Sequence, residues 1–146
     1  PDAELILVGT GPLEEKVRSK VADKGLTESV QFLGNRKDMN RIYQAMDIFV
    51  FPSLFEGLGI VAIEAQAAGV PIVCSEGLPP ETDITPIYQK LMLNDGAKKW
   101  ADIALEMAQS PVAHKNMQKY VIDAGFDMSA TAKNMEKYYL SKWRKR

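Results

Sequence analysis

Short apolar runs alternate with helical stripes of apolar residues along the first half of this chain. The run "ELILVG" at 4–9 predicts a strand, and Leu13, Val17 and Val21, spaced four residues apart among charged side chains, predict an amphipathic helix. Pro12 is expected at a first helical position, where its missing N–H costs nothing. Further strands are predicted at 30–34, 47–52 and 71–75, and further helices at 39–46 and 59–68. Such alternation with short connections predicts an α/β fold whose parallel sheet carries helices on both faces.

The pattern loosens after Ser75, and the C-terminal third is predicted to be helical. A Pro-rich loop at 76–86 precedes a weak strand predicted at 90–93. Asp95 is expected to cap the helix that contains Trp100. Two more helices are predicted, the first from Pro111 to about Ala124 and the last striped by Met128, Ala132, Met135, Tyr139 and Trp143.

Composition excludes several classes of protein. With 18 basic and 19 acidic residues the net charge is −1, so no overall field argues for nucleic acid as a partner. A single cysteine, Cys74, excludes an internal disulfide and a cysteine metal cluster. No stretch reaches the roughly 18 apolar residues of a membrane span, and no signal peptide is evident, so a cytoplasmic protein is expected. We expect one domain over 1–146 with its C-terminal helices at 111–146, and a start without Met suggests a piece of a longer protein.

The segment "SLFEGLGIVAIEAQAAGVPIV" at 53–73 carries two glutamates, Glu56 and Glu64, in a largely apolar run. If a helix starts near Gly59, the amides of Gly57 to Ile60 point out of its N-terminus, where a phosphate is favoured. Glu64 then lies on the face that contains this N-terminus and can accept hydrogen bonds from vicinal ribose hydroxyls. Such spacing suits a nucleoside diphosphate at the carboxyl edge of a parallel sheet, flanked by Glu56. Equally open is an arrangement in which an Arg or Lys pairs with Glu64 and the glycines only shape a tight turn.

The stretch "FPSLFEGLGIVAIEAQAAGVPIVCS" at 51–75 resembles the signature of the retaining family-four glycosyltransferases of GT-B architecture. The residues that match this signature are Ser53, Glu56, Gly57, Glu64, Ala65, Ala68, Gly69 and Pro71. Likeness extends through "ILVGTGP" and "VQFLGNRKDM" and covers residues 4–110 in order. The stretch at 78–101 further resembles the branch of this family that acts in exopolysaccharide and capsule synthesis. The resemblance implies a Rossmann-like parallel sheet flanked by helices, the C-terminal, donor-binding half of a GT-B fold.

The resemblance also implies roles for individual residues. Glu64 is expected to bind the ribose hydroxyls of a sugar nucleotide, and Glu56, as the catalytic residue, to contact the transferred sugar near the reacting centre. The diphosphate is expected to be held by amides in the segment formed by Gly57, Leu58, Gly59 and Ile60. The base is expected to rest against Gly34, Asn35 and Arg36, with Gly11 approaching the donor. A UDP-sugar is favoured as the donor and a GDP-sugar is the alternative, and neither a metal nor another cofactor is implied.

Two parts of such an enzyme are expected to lie outside this sequence. They are the first strand–helix unit, which carries the family's Arg and Lys for the diphosphate, and the N-terminal domain, which brings a glycan or lipid-linked acceptor. The chain alone is therefore expected to transfer no sugar. Packing of the last helix against this domain or the missing half is favoured, although its end "YYLSKWRKR" also suits peripheral contact at the inner face of the cell membrane.

Two other functions stay open. One is a noncatalytic nucleotide-binding or scaffolding module, and the other is a GT-B nucleotide-sugar epimerase with different acids around the sugar. A buried carboxylate is costly unless satisfied, so retention of Glu56 and Glu64 argues against the noncatalytic module.

Overall fold

The computed structural model describes residues 3–143 and divides the chain after Met39 into two compact units. The strands of the described residues are β1 (Leu5–Val8), β2 (Val30–Gly34), β3 (Phe49–Phe51), β4 (Ile72–Ser75) and β5 (Tyr88–Leu91). The helices are α1 (Glu14–Asp23), α2 (Met39–Gln44), α3 (Ile60–Ala67), α4 (Ala97–Ala108), α5 (Gln118–Asp123) and α6 (Met128–Trp143). The predicted alternation of strands and helices is therefore confirmed, while the single domain over 1–146 stays a prediction.

The first unit contains a parallel pair of strands joined through α1. Strands β1 and β2 pair with Leu5 opposite Val30, and the register shifts by one residue between Leu7 and Val8. Pro12 precedes the helix instead of opening it, because the N–H of Glu14 donates to the carbonyl of Gly11 (3.1 Å) and closes a turn over residues 11–14. Proline suits the second position of such a turn, since its ring already sets the required φ.

The second unit contains a parallel sheet in the order β3–β4–β5. The residues of the central strand β4 are all buried, and they alternate between two apolar clusters. Ile72 and Cys74 pack with Ala62 of α3, whereas Val73 packs with Trp100 of α4. Helices therefore cover both faces of this sheet, as an apolar strand in a parallel sheet requires.

Several predicted boundaries differ from those of the structure, and a backbone feature explains two of the differences described next. The fifth strand lies at Tyr88–Leu91, two residues earlier than predicted. Asp95 does not cap α4, because Gly96 with φ of 85° separates them; its carboxylate instead accepts the N–H of Met92 (3.0 Å). Turns occupy the first part of the helix predicted from Pro111 to about Ala124, since His114 has φ of 58° and its N–H donates to the carbonyl of Gly69 (2.7 Å). The second part of that stretch is helical, as α5 (Gln118–Asp123).

The last helix, α6, has the predicted bounds but not the predicted packing. None of its described residues is buried, and Met128 and Trp143 are 79% and 77% exposed. The prediction that the stripe packs against this domain is thus wrong, because a helical period shows that a face is apolar but not what covers it. Packing against another part of a longer protein stays a prediction. Within residues 3–143, no helix has the length and apolar character needed to cross a membrane.

Candidate functional site

The loop that follows β3 carries Glu56 and is fixed by polar contacts. The half-buried Glu56 accepts a hydrogen bond from the Ser53 hydroxyl at 2.7 Å. The Ser75 hydroxyl, at the end of β4, donates in turn to the carbonyl of Ser53. A side chain at Gly77 would lie 2.5 Å from the carbonyl oxygen of Leu54, so the loops after β3 and β4 touch through their backbones. Glu56 is therefore held at the carboxyl ends of two adjacent parallel strands, where open α/β sheets bind ligands.

The N-terminus of α3 lies four residues beyond Glu56. Gly59, which is buried, adopts the left-handed conformation (φ 71°, ψ 51°) and precedes the first helical residue, Ile60. No side chain of the described residues caps this helix end, while Gly57 and Ile60 are exposed and Leu58 is half-buried. The first-turn N–H groups consequently have no side-chain acceptor, which is the arrangement that favours an anion.

Glu64 lies one helical turn beyond Ile60 and is exposed, so the expectation of a buried carboxylate is wrong. Ala62, Ile63, Ala65 and Gln66 are the buried residues of α3. Ile60, Val61 and Glu64 share the remaining, open face, because residues three and four apart lie on one side of a helix. An exposed carboxylate is cheap to keep, and the burial argument against a noncatalytic module therefore fails.

The hydrogen-bond partner of Glu64 is a tyrosine on α2. The hydroxyl of Tyr43 donates to Glu64 Oε2 at 3.1 Å. Burial, together with the negative charge of Glu64, raises the pKa of Tyr43 well above that of an ordinary tyrosine, so the hydroxyl keeps its proton. No Arg or Lys of residues 3–143 forms an ion pair with Glu64, so the alternative in which a cation holds this carboxylate is not what the structure shows.

Gln66, which the sequence analysis did not single out, is the buried polar residue of α3. Its amide nitrogen donates to the carbonyls of Ala62 (3.0 Å) and Thr82 (2.8 Å). Its oxygen accepts the N–H (3.2 Å) and the hydroxyl (2.8 Å) of Thr85. Gln66 thereby ties α3 to the Pro-rich loop after β4.

Two signals in the sequence could have found Tyr43 and Gln66. Tyr43 stands in the apolar stripe predicted for the second helix, where a buried phenol needs a hydrogen-bond partner. Gln66 is an amide inside an Ala- and Ile-rich helix, where burial demands that both ends of the amide be bonded. Neither signal identifies the partner.

The residues expected to contact the base, together with Gly11, belong to the first unit. Gly34 ends β2 with φ of 61°, and its carbonyl accepts the N–H of Gly9 at 2.8 Å. Asn35 and Gly11 are exposed. Arg36 makes a two-pronged contact with the carboxylate of Asp38 (2.8 and 2.7 Å), so its charge is already paired. The other predicted site residues, from Glu56 to Glu64, belong to the second unit.

Comparison with known proteins identifies related sequences. A family model described as "Glycosyl transferases group 1" matches residues 1–110. The putative glycosyltransferase EpsF of Bacillus subtilis is 30% identical over 126 residues, covering 85% of this chain and 33% of that protein. The GDP-mannose-dependent monoacylated alpha-(1-6)-phosphatidylinositol monomannoside mannosyltransferase of Corynebacterium glutamicum is 35% identical over 127 residues (80% and 32%). The chain therefore spans about a third of the length of these relatives.

Solved structures show the same fold. Sucrose-phosphate synthase from Thermosynechococcus elongatus superposes with a TM-score of 0.80 at 25% identity, over 98% of this chain and 39% of that one. Anabaena Alr3699/HepE in complex with UDP-glucose superposes with a TM-score of 0.76 at 20% identity, over 94% and 41%. These neighbours are GT-B glycosyltransferases, and the predicted fold class is confirmed.

Proposed function

This chain belongs to the group 1 glycosyl transferases, and from that premise we propose that it is the donor-binding part of a retaining glycosyltransferase that builds a surface polysaccharide. The observation that best supports donor binding is the open face of α3. On this face lie an uncapped helix N-terminus and the exposed carboxylate of Glu64, which accepts a hydrogen bond from the hydroxyl of Tyr43. Such a face offers donors to a diphosphate and acceptors to a pair of sugar hydroxyls.

We assign the parts of the donor as follows. The amides between Gly57 and Ile60 bind the diphosphate, and Glu64 binds the ribose hydroxyls. Glu56 contacts the transferred sugar, with Ser53 orienting its carboxylate at 2.7 Å. The base rests against the loop formed by Gly34, Asn35 and Arg36. Because the guanidinium of Arg36 is paired with Asp38, we assign to Arg36 packing against the base and no charge contact with the donor. Gly11, which has open space where a side chain would be, approaches the donor.

The donor is proposed to be a UDP-sugar. The HepE structure contains UDP-glucose, which supports this choice, whereas the Corynebacterium relative depends on GDP-mannose, which keeps a GDP-sugar as the alternative. That relative's phosphatidylinositol mannoside acceptor supports a glycan or lipid-linked acceptor, bound through another part of a longer protein. Peripheral membrane contact through the aromatic residues near the end of α6 and the basic residues at 144–146 is part of the same proposal, and residues 144–146 lie outside the described residues.

The proposed reaction retains the anomeric configuration. The bond between the sugar's anomeric carbon and the diphosphate oxygen breaks as the acceptor oxygen bonds to the same carbon on the same face. The proton of the acceptor passes to the leaving phosphate. Glu56 and the α3 amides act by positioning the sugar and stabilising the diphosphate's charge.

Nucleotide titration of isotopically labelled protein tests this function. UDP, GDP and ADP are each added while amide shifts are followed at 57–60 and 34–36. We expect one nucleotide to move both sets selectively. Glu64→Ala should lower the affinity for that nucleotide about tenfold, since about 1.4 kcal/mol of binding free energy is lost with the hydrogen bonds to the charged carboxylate.

Glu106→Ala serves as the matched control, because Glu106 is also an exposed helical glutamate, on α4. Its affinity should equal that of the unchanged chain. Absence of shifts at 57–60 with every nucleotide would contradict the proposal. Nucleotide binding that Glu64→Ala leaves unchanged would favour the noncatalytic module. Interconversion of nucleotide sugars by the longer protein would favour the epimerase.

A further inference from the structure

Tyr43 is a buried side chain on α2. The residue is 2% exposed, and its ring meets the ring of Phe49 edge to face, with centroids 6.1 Å apart and planes at 82°. Phe49 stacks in turn on Phe51 at 5.5 Å, within β3. Both strand aromatics pack against the buried cluster of Ile72 and Cys74, so the Tyr43 ring lies against a packed part of the core.

The hydroxyl of Tyr43 donates a hydrogen bond to the exposed carboxylate of Glu64. Glu64 is an exposed glutamate, a residue type that samples many rotamers in water. The 3.1 Å hydrogen bond from Tyr43 engages only Oε2. A carboxylate has about four acceptor positions on its two oxygens, so enough remain for two further donors.

We propose that Tyr43 is a positioning residue of the donor site, which holds Glu64 in the rotamer that accepts both hydroxyls of a vicinal diol. This inference rests on the proposed role of Glu64 toward ribose. Holding the carboxylate in advance raises affinity, because the binding step then loses less side-chain entropy. The protonated state of the phenol, kept by its raised pKa, means that the donor is present at neutral pH.

A purely structural role for the same contact makes a different prediction. If Glu64 only satisfies a buried phenol, removal of the hydroxyl lowers stability and changes the binding of all nucleotides alike. If Tyr43 positions Glu64, the loss falls on ligands that carry both ribose hydroxyls. Discrimination between a ribonucleotide and its 2′-deoxy form therefore separates the two roles.

The experiment compares the unchanged chain with Tyr43→Phe and with a matched control, Tyr88→Phe. Tyr88 is also a partly buried tyrosine, but its hydroxyl bonds Thr82 Oγ1 at 2.7 Å. Affinities for UDP, GDP and their 2′-deoxy forms are measured by titration. The ribo-to-deoxy preference should fall roughly fivefold in Tyr43→Phe, with deoxy affinity unchanged, and should stay constant in Tyr88→Phe.

A second measurement needs no ligand. Carbon relaxation at the Glu64 Cγ should show more side-chain motion in Tyr43→Phe than in the unchanged chain or in Tyr88→Phe. The inference is overturned if Glu64 moves no more in Tyr43→Phe than in the original chain. It is also overturned if the original chain prefers ribonucleotides to their 2′-deoxy forms and Tyr43→Phe keeps the same preference. If the original chain does not prefer ribonucleotides, the ribose role of Glu64 fails, and the inference fails with it.

Discussion

At the scale of single residues, the backbone of Gly59 sets the position of the α3 N-terminus. Its φ of 71° lies in the left-handed region, which a side chain disfavours. Space is not the obstacle, because an added Cβ would meet Leu78 and Phe51 at 3.7 Å, which is ordinary contact. The two glycines of this turn therefore differ, since Gly57 has open space around it and is not among the glycines with positive φ.

Gly59→Ala is predicted to destabilise the chain by about 1 kcal/mol, the cost of a left-handed alanine. Gly57→Ala, the control, should stay within about 0.5 kcal/mol of the original stability. Urea unfolding followed by circular dichroism measures both free energies of unfolding. Equal effects in the two variants would show that backbone conformation does not set this helix start.

At the scale of elements, one buried side chain connects α3 with the loop after β4. Gln66 is fully buried and makes four hydrogen bonds, two of them to Thr85 and one to the carbonyl of Thr82. Thr82 continues the connection through its hydroxyl to Tyr88 of β5 at 2.7 Å. The helix that carries Glu64 and the loop beside it are therefore held as one structure by polar contacts rather than by apolar packing alone.

Gln66→Leu is predicted to lower the free energy of unfolding by about 2–4 kcal/mol, because backbone groups of Thr82 and Thr85 lose their buried partner. Gln89→Leu is the matched control. Gln89 is exposed and its amide donates only to the carbonyl of Lys90, so a change within about 0.5 kcal/mol is expected. Denaturant titration of both variants checks this, and a small effect at Gln66 would contradict it.

At the scale of the whole molecule, the chain covers only part of the length of the relatives it matches. It spans 33% of EpsF and 32% of the Corynebacterium mannosyltransferase. Glycosyl transfer brings two substrates together, and the residues assigned above account for the donor only. The exposed apolar face of α6, with Met135 and Tyr139 at 51% and 64% exposure, is a surface that the described residues leave uncovered.

The 146-residue chain is accordingly predicted to transfer no sugar from UDP-glucose or GDP-mannose. The assay incubates each donor with the chain and a lipid extract and follows release of the nucleoside diphosphate and labelling of the lipid. Glu56→Gln is included because true turnover depends on this residue under the proposed mechanism. Release or labelling that disappears in Glu56→Gln would contradict the prediction of inactivity and support the assigned role of Glu56.

The strands and helices were predicted from local patterns of apolar residues in the sequence. The run at 30–34 matches β2 at both ends, and the stripe of the last helix matches α6 at both ends. Apolar runs and helical stripes depend on neighbours in sequence, so they are readable without the fold. The helix predicted from Pro111 begins only at Gln118, because a contact from His114 to Gly69, 45 positions away in the chain, overrides the local pattern before it.

The sequence by itself determined the α/β class, the order of the elements and the segment, 53–73, that contains Glu56, the N-terminus of α3 and Glu64. Only the tertiary structure decided that Glu64 is exposed, that Tyr43 is its partner 21 positions away, and that Gln66 is the buried polar group. The physical reason is that periodicity defines which residues share a face. What covers that face, and which donor reaches it, depends on elements that meet only when the chain has folded.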